Sequence, residues 1–253
     1  MMITRVHPAR VVPLELWDVV VDGVPLYRQP TQAQGRATAQ AVLALRDGSA
    51  CRRLGQRLPA SAFSQVHVGG GGDVDAVVTA LRTVGVVAVA EDDPVAIAAV
   101  GGFALARDAG LVDPLVVDVG QTSLKWFTAV SRGRLTRPYL LDRAAAVHWL
   151  ASAITSAVSA SVEVQKQWMC RSIVLALPAE IGDDLAVADC SYPWADGDRL
   201  LVNDVVSSAG RAVPTLVLND AELAAVSVQQ QRPPLPTLVL TVGTGVGAAL
   251  VVR

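Results

Sequence analysis

Apolar residues fall into two alternating kinds of segment along the chain. Short runs rich in Val, Ile and Leu, bounded by turn residues, predict buried strands over Leu16–Val21, Val66–Val68, Val84–Val89, Leu115–Asp118, Leu124–Val130, Ile173–Ala176, Thr215–Leu218 and Thr237–Val242. Between them, helical spacing predicts helices over Gln32–Arg46, Asp73–Arg82, Pro94–Arg107, Arg143–Val162 and Leu200–Ala209. Pro94 suits a first helical turn, where its missing N–H is not needed. Strands alternating with helices imply an α/β architecture with largely buried sheets. Asp108–Pro114 and the proline-rich Gln229–Pro236 read as connections between lobes, and no fixed-period repeat interrupts the pattern.

Composition narrows the function classes. At 253 residues the chain has room for one large or two small domains, and 52% hydrophobic against 17% charged residues argues against disorder. A net charge of −2 with a pI of about 5.9 leaves no average basic surface for nucleic acid or acidic membranes. Cys51, Cys170 and Cys190 are odd in number and scattered, which argues against a disulfide framework or a zinc site and suits a reducing compartment. The uncharged stretch Thr237–Val252 is broken by three glycines and three threonines and is too short for a membrane span. The amino-terminal MMITRVHPAR has no apolar core of a signal peptide. The expectation is a cytoplasmic protein without a nucleic-acid or membrane partner.

Candidate chemistry lies in an internal echo. Leu115–Lys125 (LVVDVGQTSLK) and Leu238–Leu250 (LVLTVGTGVGAAL) each run a buried strand into a turn of small and hydroxyl residues, then into more strand. Such turns present backbone N–H groups in a concavity suited to phosphate oxygens. The first also carries Asp118, a carboxylate of the type that binds Mg²⁺, and Lys125. Gly69–Gly72 follow a strand and precede a helix, but Val74 stands where a dinucleotide fingerprint needs its last glycine. Asn219 and Asp220 stand before a helix, where either a helix cap or a held catalytic carboxylate fits. Of the three histidines, His67 and His148 read as structural.

Four of these segments, in order, resemble the ROK family of repressors and sugar kinases, part of the actin-like ATPase superfamily. They are Asp118-Val-Gly-Gln-Thr-Ser-Leu-Lys125, Ile173-Val-Leu-Ala-Leu-Pro178, the Asn219-Asp220 pair opening an Ala-rich helix, and Gly243-Thr-Gly-Val-Gly247. Two further segments resemble late parts of the family but stand early here: Val66-His-Val-Gly-Gly-Gly-Gly-Asp73 and Glu91–Leu105. The resemblance therefore covers roughly 113–253 and then 62–107. It implies a two-lobed actin-like, ribonuclease H-like ATPase fold that is circularly permuted. Residues 94–236 would form one lobe, and 1–93 with 237–253 the other, with a cleft between them. An unrelated domain over 1–112 beside a truncated fold is the alternative.

The resemblance further implies an ATP- and Mg²⁺-dependent kinase acting on a hydroxyl of a sugar-like small molecule. Gly120, Gln121, Thr122, Lys125, Gly243, Thr244 and Gly245 would hold phosphates, Gly69, Gly70, Gly71 and Gly72 the adenosine, and Asp118 the Mg²⁺. Asp220 would take the acceptor's proton, with Asn219, Pro178 and Ala179 against the acceptor. Dimers are usual in that family, which implies a homodimer. Departures weaken the acceptor side: the zinc-binding C-x-C-G-x-x-G-C segment is absent, Gln121 replaces a glycine, and Thr4-Arg-Val-His7 lacks the glutamate and glycine of the sugar-binding Glu-x-Gly-His segment. A catalytically silent nucleotide or sugar sensor, or an ATPase module acting on a partner protein, are the rival readings.

Overall fold

The computed structural model describes residues 2–14, 20–21, 24–25, 31–46, 63–93, 95–188, 190–243 and 245–253. In chain order its elements are β1 (Ile3–Arg5), β2 (Val11–Leu14), β3 (Val20–Val21), β4 (Val24–Pro25), α1 (Thr31–Arg46), β5 (Gln65–Gly70), α2 (Val74–Thr83), β6 (Ala88–Ala90) and α3 (Ile97–Asp108). Then come β7 (Pro114–Val119), β8 (Ser123–Phe127), β9 (Arg132–Thr136), α4 (Arg143–Val164), β10 (Ser172–Leu177), α5 (Leu201–Ser208), β11 (Thr215–Asn219), α6 (Asp220–Gln230), β12 (Thr237–Val242) and β13 (Val246–Val251). The fold is α/β, as the alternating pattern predicts, and is built on two mixed sheets. The chain divides into two compact units: 1–8 with 98–223, and 9–97 with 224–253.

The first unit holds a six-stranded sheet in the order β1-β11-β10-β7-β8-β9. Strands β1, β11, β10 and β7 run parallel, β8 pairs antiparallel with β7, and β9 antiparallel with β8. All six residues of β10 are buried, as expected for a strand covered on both faces. On one face Leu115, Val117 and Leu124 pack with Leu150, Ile154 and Ala157 of α4 and Leu201 and Val205 of α5. On α3, a Cβ at Gly102 would lie 2.5 Å from Val116 Cγ1, so only glycine permits that approach of helix to strand. Helix α4, expected over Arg143–Val162, is long and apolar enough, by length and composition alone, to cross a membrane. Half of that stretch is buried inside the protein, consistent with a core helix.

The second unit holds a five-stranded sheet, β2-β13-β12-β5-β6, with α1 and α2 in contact, and β3 pairs with β4 separately. Pairs β12–β13 and β13–β2 are antiparallel, and β12–β5 and β5–β6 parallel. This repeats the order and directions of β9-β8-β7-β10-β11 in the first unit. There the chain supplies β7, β8, β9, α4, β10, α5 and β11 in succession. In the second unit the corresponding succession is β12 and β13 at the carboxyl end, then β2, α1, β5, α2 and β6 from the amino-terminal part. The two ends meet where Val252 N–H donates to the Arg10 carbonyl at 2.8 Å.

Several expected boundaries move for identifiable reasons. Residues 1–8 fall in the first unit rather than with 9–93, because β1 pairs with β11. The expected strand Val84–Val89 shortens to β6, since the Val84, Gly85 and Val86 amides turn back onto Leu81 and Arg82 carbonyls to end α2. Strand β8 stops at Phe127 because Thr128 N–H closes a turn onto Ser131 O. Of the expected strand Leu16–Val21, residues 16–19 lie outside the described residues, as do Pro94 and Cys51.

Candidate functional site

The parallel strands of the first sheet align their carboxyl ends along one edge, where ligands bind in open α/β sheets. Asp118 is next to last in β7, Pro178 and Ala179 follow β10, Asn219 ends β11 and Asp220 follows it. Asp118 and Lys125 are direct partners across the β7–β8 pair, and Lys125 Nζ donates to Asp118 Oδ2 at 2.9 Å. Both side chains are largely buried, at 10% and 13% exposure. The intervening turn is closed by Gly120 N–H donating to Ser123 O at 2.9 Å. That amide is therefore spent, while the Gln121 and Thr122 amides at the tip make no hydrogen bond among the described residues. Tyr192 Oη donates to the Gly120 carbonyl at 2.8 Å. Its ring stacks on Trp194 and lies under the Arg137 guanidinium, and burial pushes its phenol well above the ordinary value.

Asp220 is the first residue of α6 and is half-buried. Its carboxyl is pushed up to about 7, first by loss of water and then by the negative charge of Asp118, with the Ala221 amide and Lys125 acting the other way. Asn219 is the helix cap: its Oδ1 accepts the Ala221 amide at 2.8 Å, and Asp220 Oδ1 accepts the same amide at 2.8 Å. Three residues on, Glu222 Oε2 accepts the Asn219 amide at 3.0 Å, completing a capping box over Asn219-Asp220-Ala221-Glu222. Asn219 Nδ2 donates to the Ala179 carbonyl at 3.0 Å, which ties the β10 loop to β11. Asn219 and Asp220 thus share the Ala221 amide at the helix start, and the charges of Asp118 and Lys125 act on the Asp220 carboxyl.

The structure brings the second hairpin and the glycine run together inside the second unit. Gly70 pairs opposite Val242, and Gly72 N–H donates to Val242 O at 2.9 Å. Gly70 has φ +112°, and a Cβ there would lie 2.3 Å from Val242 O. Internal packing therefore demands Gly70. Gly71 and Gly72 are exposed, and Asp73 caps α2 by accepting the Ala76 amide. Gly243 N–H closes the hairpin onto Gly245 O at 2.8 Å, as Gly120 does in the first; Thr244 lies outside the described residues. Beneath the glycine run, His67 Nδ1 lies 2.5 Å from Glu91 Oε1, and Gln231 donates to Glu91 Oε2. Burial works against the Glu91 carboxylate, but hydrogen bonds from His67 and Gln231 hold it below its ordinary value.

Glu222, Arg5, Tyr192 and Arg137 escaped the sequence reading. The Asn-x-x-Glu spacing was a usable signal for Glu222. Nothing local marks Arg5 or Tyr192, which reach the site only through the tertiary fold.

Among the described residues no group of three His, Cys, Asp or Glu side chains can hold a metal. A Mg²⁺ carried by a nucleotide needs only one or two carboxylates. Asp118 and Asp220 fit that demand in chemistry: two carboxylates at the carboxyl edge of the first sheet, the charge of Asp118 adding to burial in raising Asp220. No family model matches the chain, and no curated protein matches its sequence. Among solved structures it is similar to a ROK hexokinase from Thermus thermophilus (TM-score 0.44, 20% identity, 56% of this chain and 47% of that one). It is also similar to a ROK family glucokinase from Streptomyces griseus solved with glucose and AMPPNP (0.41, 19%, 55% and 44%). A third is the ethanolamine utilization protein EutJ from Carboxydothermus hydrogenoformans (0.43, 12%, 78% and 75%). The matched region spans less than half the length of the two ROK structures.

Proposed function

We propose that the protein is a magnesium-dependent phosphotransferase that uses ATP to phosphorylate a hydroxyl of a sugar-like small molecule. The observation that carries the reading is Asp220, held at a helix start beside Asp118 and Lys125 with its carboxyl pushed up to about 7. A base with that proton affinity suits removal of a hydroxyl proton at neutral pH. Asp118 would hold Mg²⁺, and the free Gln121 and Thr122 amides would hold phosphate oxygens. Gly120 serves by closing its hairpin, and Lys125 by holding Asp118. In the second unit the Gly243–Gly245 turn would take phosphate, and the exposed Gly71 and Gly72 the adenosine side. When bound, Mg²⁺–ATP supplies the phosphoryl group and offsets its charge. The chain's own residues orient the acceptor through Pro178 and Ala179, and take its proton at Asp220. Asn219, its amide committed to Ala221 and Ala179, contributes mainly by fixing this turn.

The reading extends to chain order. The duplicated sheet order, with β12–β13 continued by β2, supports a circular permutation of an actin-like fold. The test is Mg²⁺-dependent ADP release across sugars, amino sugars and polyols, with Asp220→Asn run in parallel. Acceptor-stimulated release that the variant loses supports the kinase. Nucleotide binding without release from any acceptor overturns it in favour of a sensor, and release that needs no acceptor favours an ATPase module.

A further inference from the structure

Two residues after Asp220, Glu222 is buried to 1% side-chain exposure with both carboxylate oxygens engaged. Arg5 Nη2 lies 2.8 Å from each of them, and the Asn219 amide donates to Oε2 at 3.0 Å. Arg5, itself 6% exposed, comes from β1, 217 residues away in sequence. Its Nε donates to the Ile181 carbonyl at 2.9 Å and its Nη1 to the Val6 carbonyl. The guanidinium therefore binds three segments at once: its own strand, the loop after β10 and the first turn of α6. The same loop is held from the other side by Asn219 Nδ2 on Ala179 O. The bonds close a ring through Arg5, Glu222, Asn219, Ala179 and Ile181.

A capping box needs no cation, since its carboxylate works at a solvated helix end. Here the carboxylate is buried, and burial of a charge is tolerated only when it is paired and hydrogen-bonded. The planar fork of Arg5, engaged at Nε and both Nη atoms, cannot turn without breaking several bonds together. What this holds rigid is the Asn219–Ala221 turn, and Asp220 is its middle residue. We propose that Arg5 and Glu222 are positioning residues: their clamp fixes the turn so that Asp220 is held toward Asp118 and Lys125. This rests on the proposed catalytic role of Asp220. The short edge strand β1 is then the element that completes the site.

The test uses Arg5→Met, Arg5→Lys and Glu222→Gln in the full chain. Arg5→Met should speed amide hydrogen exchange at Asn219 and Ala221 by about tenfold or more, leaving Val174 and Leu175 in the centre of β10 unchanged. It should lower kcat for ADP release roughly 10- to 100-fold with little change in KM for ATP, the cost of a misplaced group. Arg5→Lys, which keeps the charge but loses the fork, should recover part of both. If Arg5→Met does not fold, Glu222→Gln, equal in size, should still loosen the Asn219 amide. Parental exchange and kcat in these variants would overturn the proposal, as would a loosening spread evenly over β10 and β11. A parent that turns over no acceptor would remove the kinase reading instead, and exchange at the two amides would still decide the clamp.

Discussion

The two units share one sheet order but carry opposite chemistry at the carboxyl ends of their strands. In the first, that edge holds Asp118, Lys125, Asp220 and, behind them, the Arg5–Glu222 pair. In the second, Thr241 stands where the first has Asp118, Gly247 where it has Lys125, and glycine replaces the prolyl loop after the fourth strand. One sheet order therefore accommodates two kinds of edge. Side-chain charges gather at the first edge, and bare backbone lines the second, where Gly70 meets the Val242 backbone.

The sharpest way to break this contrast is to give the second unit a side chain it has no room for. Gly70→Ala forces a positive φ on a non-glycine residue and drives its Cβ into Val242 O. The expected loss is about 3 kcal/mol or more, or failure to accumulate folded protein, read by urea unfolding. A stable variant would show that the β5–β12 approach is looser than described. In the first unit the corresponding blow falls on chemistry. Asp220→Asn should cut turnover at least ~10²-fold while leaving nucleotide affinity nearly intact.

Protonation separates the units by sign. Asp220 has its proton affinity raised in the folded state, so the fold binds a proton that the unfolded chain releases between about pH 4 and 7. Stability from this group is therefore present at low pH and lost as pH rises through about 7. Ligand-free Asp220→Asn should consequently be more stable than the parent at pH 8, on the order of 2 kcal/mol since the carboxyl keeps some solvent. Glu91 runs the other way. Its lowered value gives stability above the unfolded carboxylate range that disappears as pH falls through and below 4.5. Glu91→Gln should be destabilised by roughly 1–3 kcal/mol at pH 7, with the deficit shrinking at pH 4. Parallel pH profiles for the two variants would remove the contrast.

How far each unit was legible in sequence follows from where its information is stored. The two hairpins and the strand–helix alternation are local patterns, and Thr237–Val242 and Thr215–Leu218 match β12 and most of β11 residue for residue. Asp118, Lys125 and Asp220 carry motif-scale signals, and Lys125 bonds Asp118 across the first hairpin. Strands β1 and β2 are three and four residues long, too short for any period to show. Strand β9, Arg132-Gly-Arg-Leu-Thr136, alternates with charges and exposes every second residue, so no apolar run marks it. Its Gly133 is fixed by the Trp126 indole packed over it, a partner seen only in three dimensions. Gly69–Gly72 read as a ligand loop, whereas Gly70 answers first to Val242. A sequence records that a side chain is missing, but not which neighbour displaced it.

The smallest effect gives the finest control on the comparison. Each unit has a helix capped by an aspartate through the third following amide: Asp73 onto Ala76 for α2, and Asp142 onto Ala145 for α4. Substituting either by alanine removes one hydrogen bond at a helix start, worth about 1 kcal/mol, and touches no candidate site residue. Asp73→Ala should raise amide exchange in 74–83 and Asp142→Ala in 143–164, each with turnover unchanged. Matched stability losses with unaltered ADP release would show that the larger effects at Asp220 belong to its charge and position. If Asp142→Ala instead lowers turnover as Asp220→Asn does, weakening the first unit anywhere is enough to disable it. The charged edge would then lose its special standing.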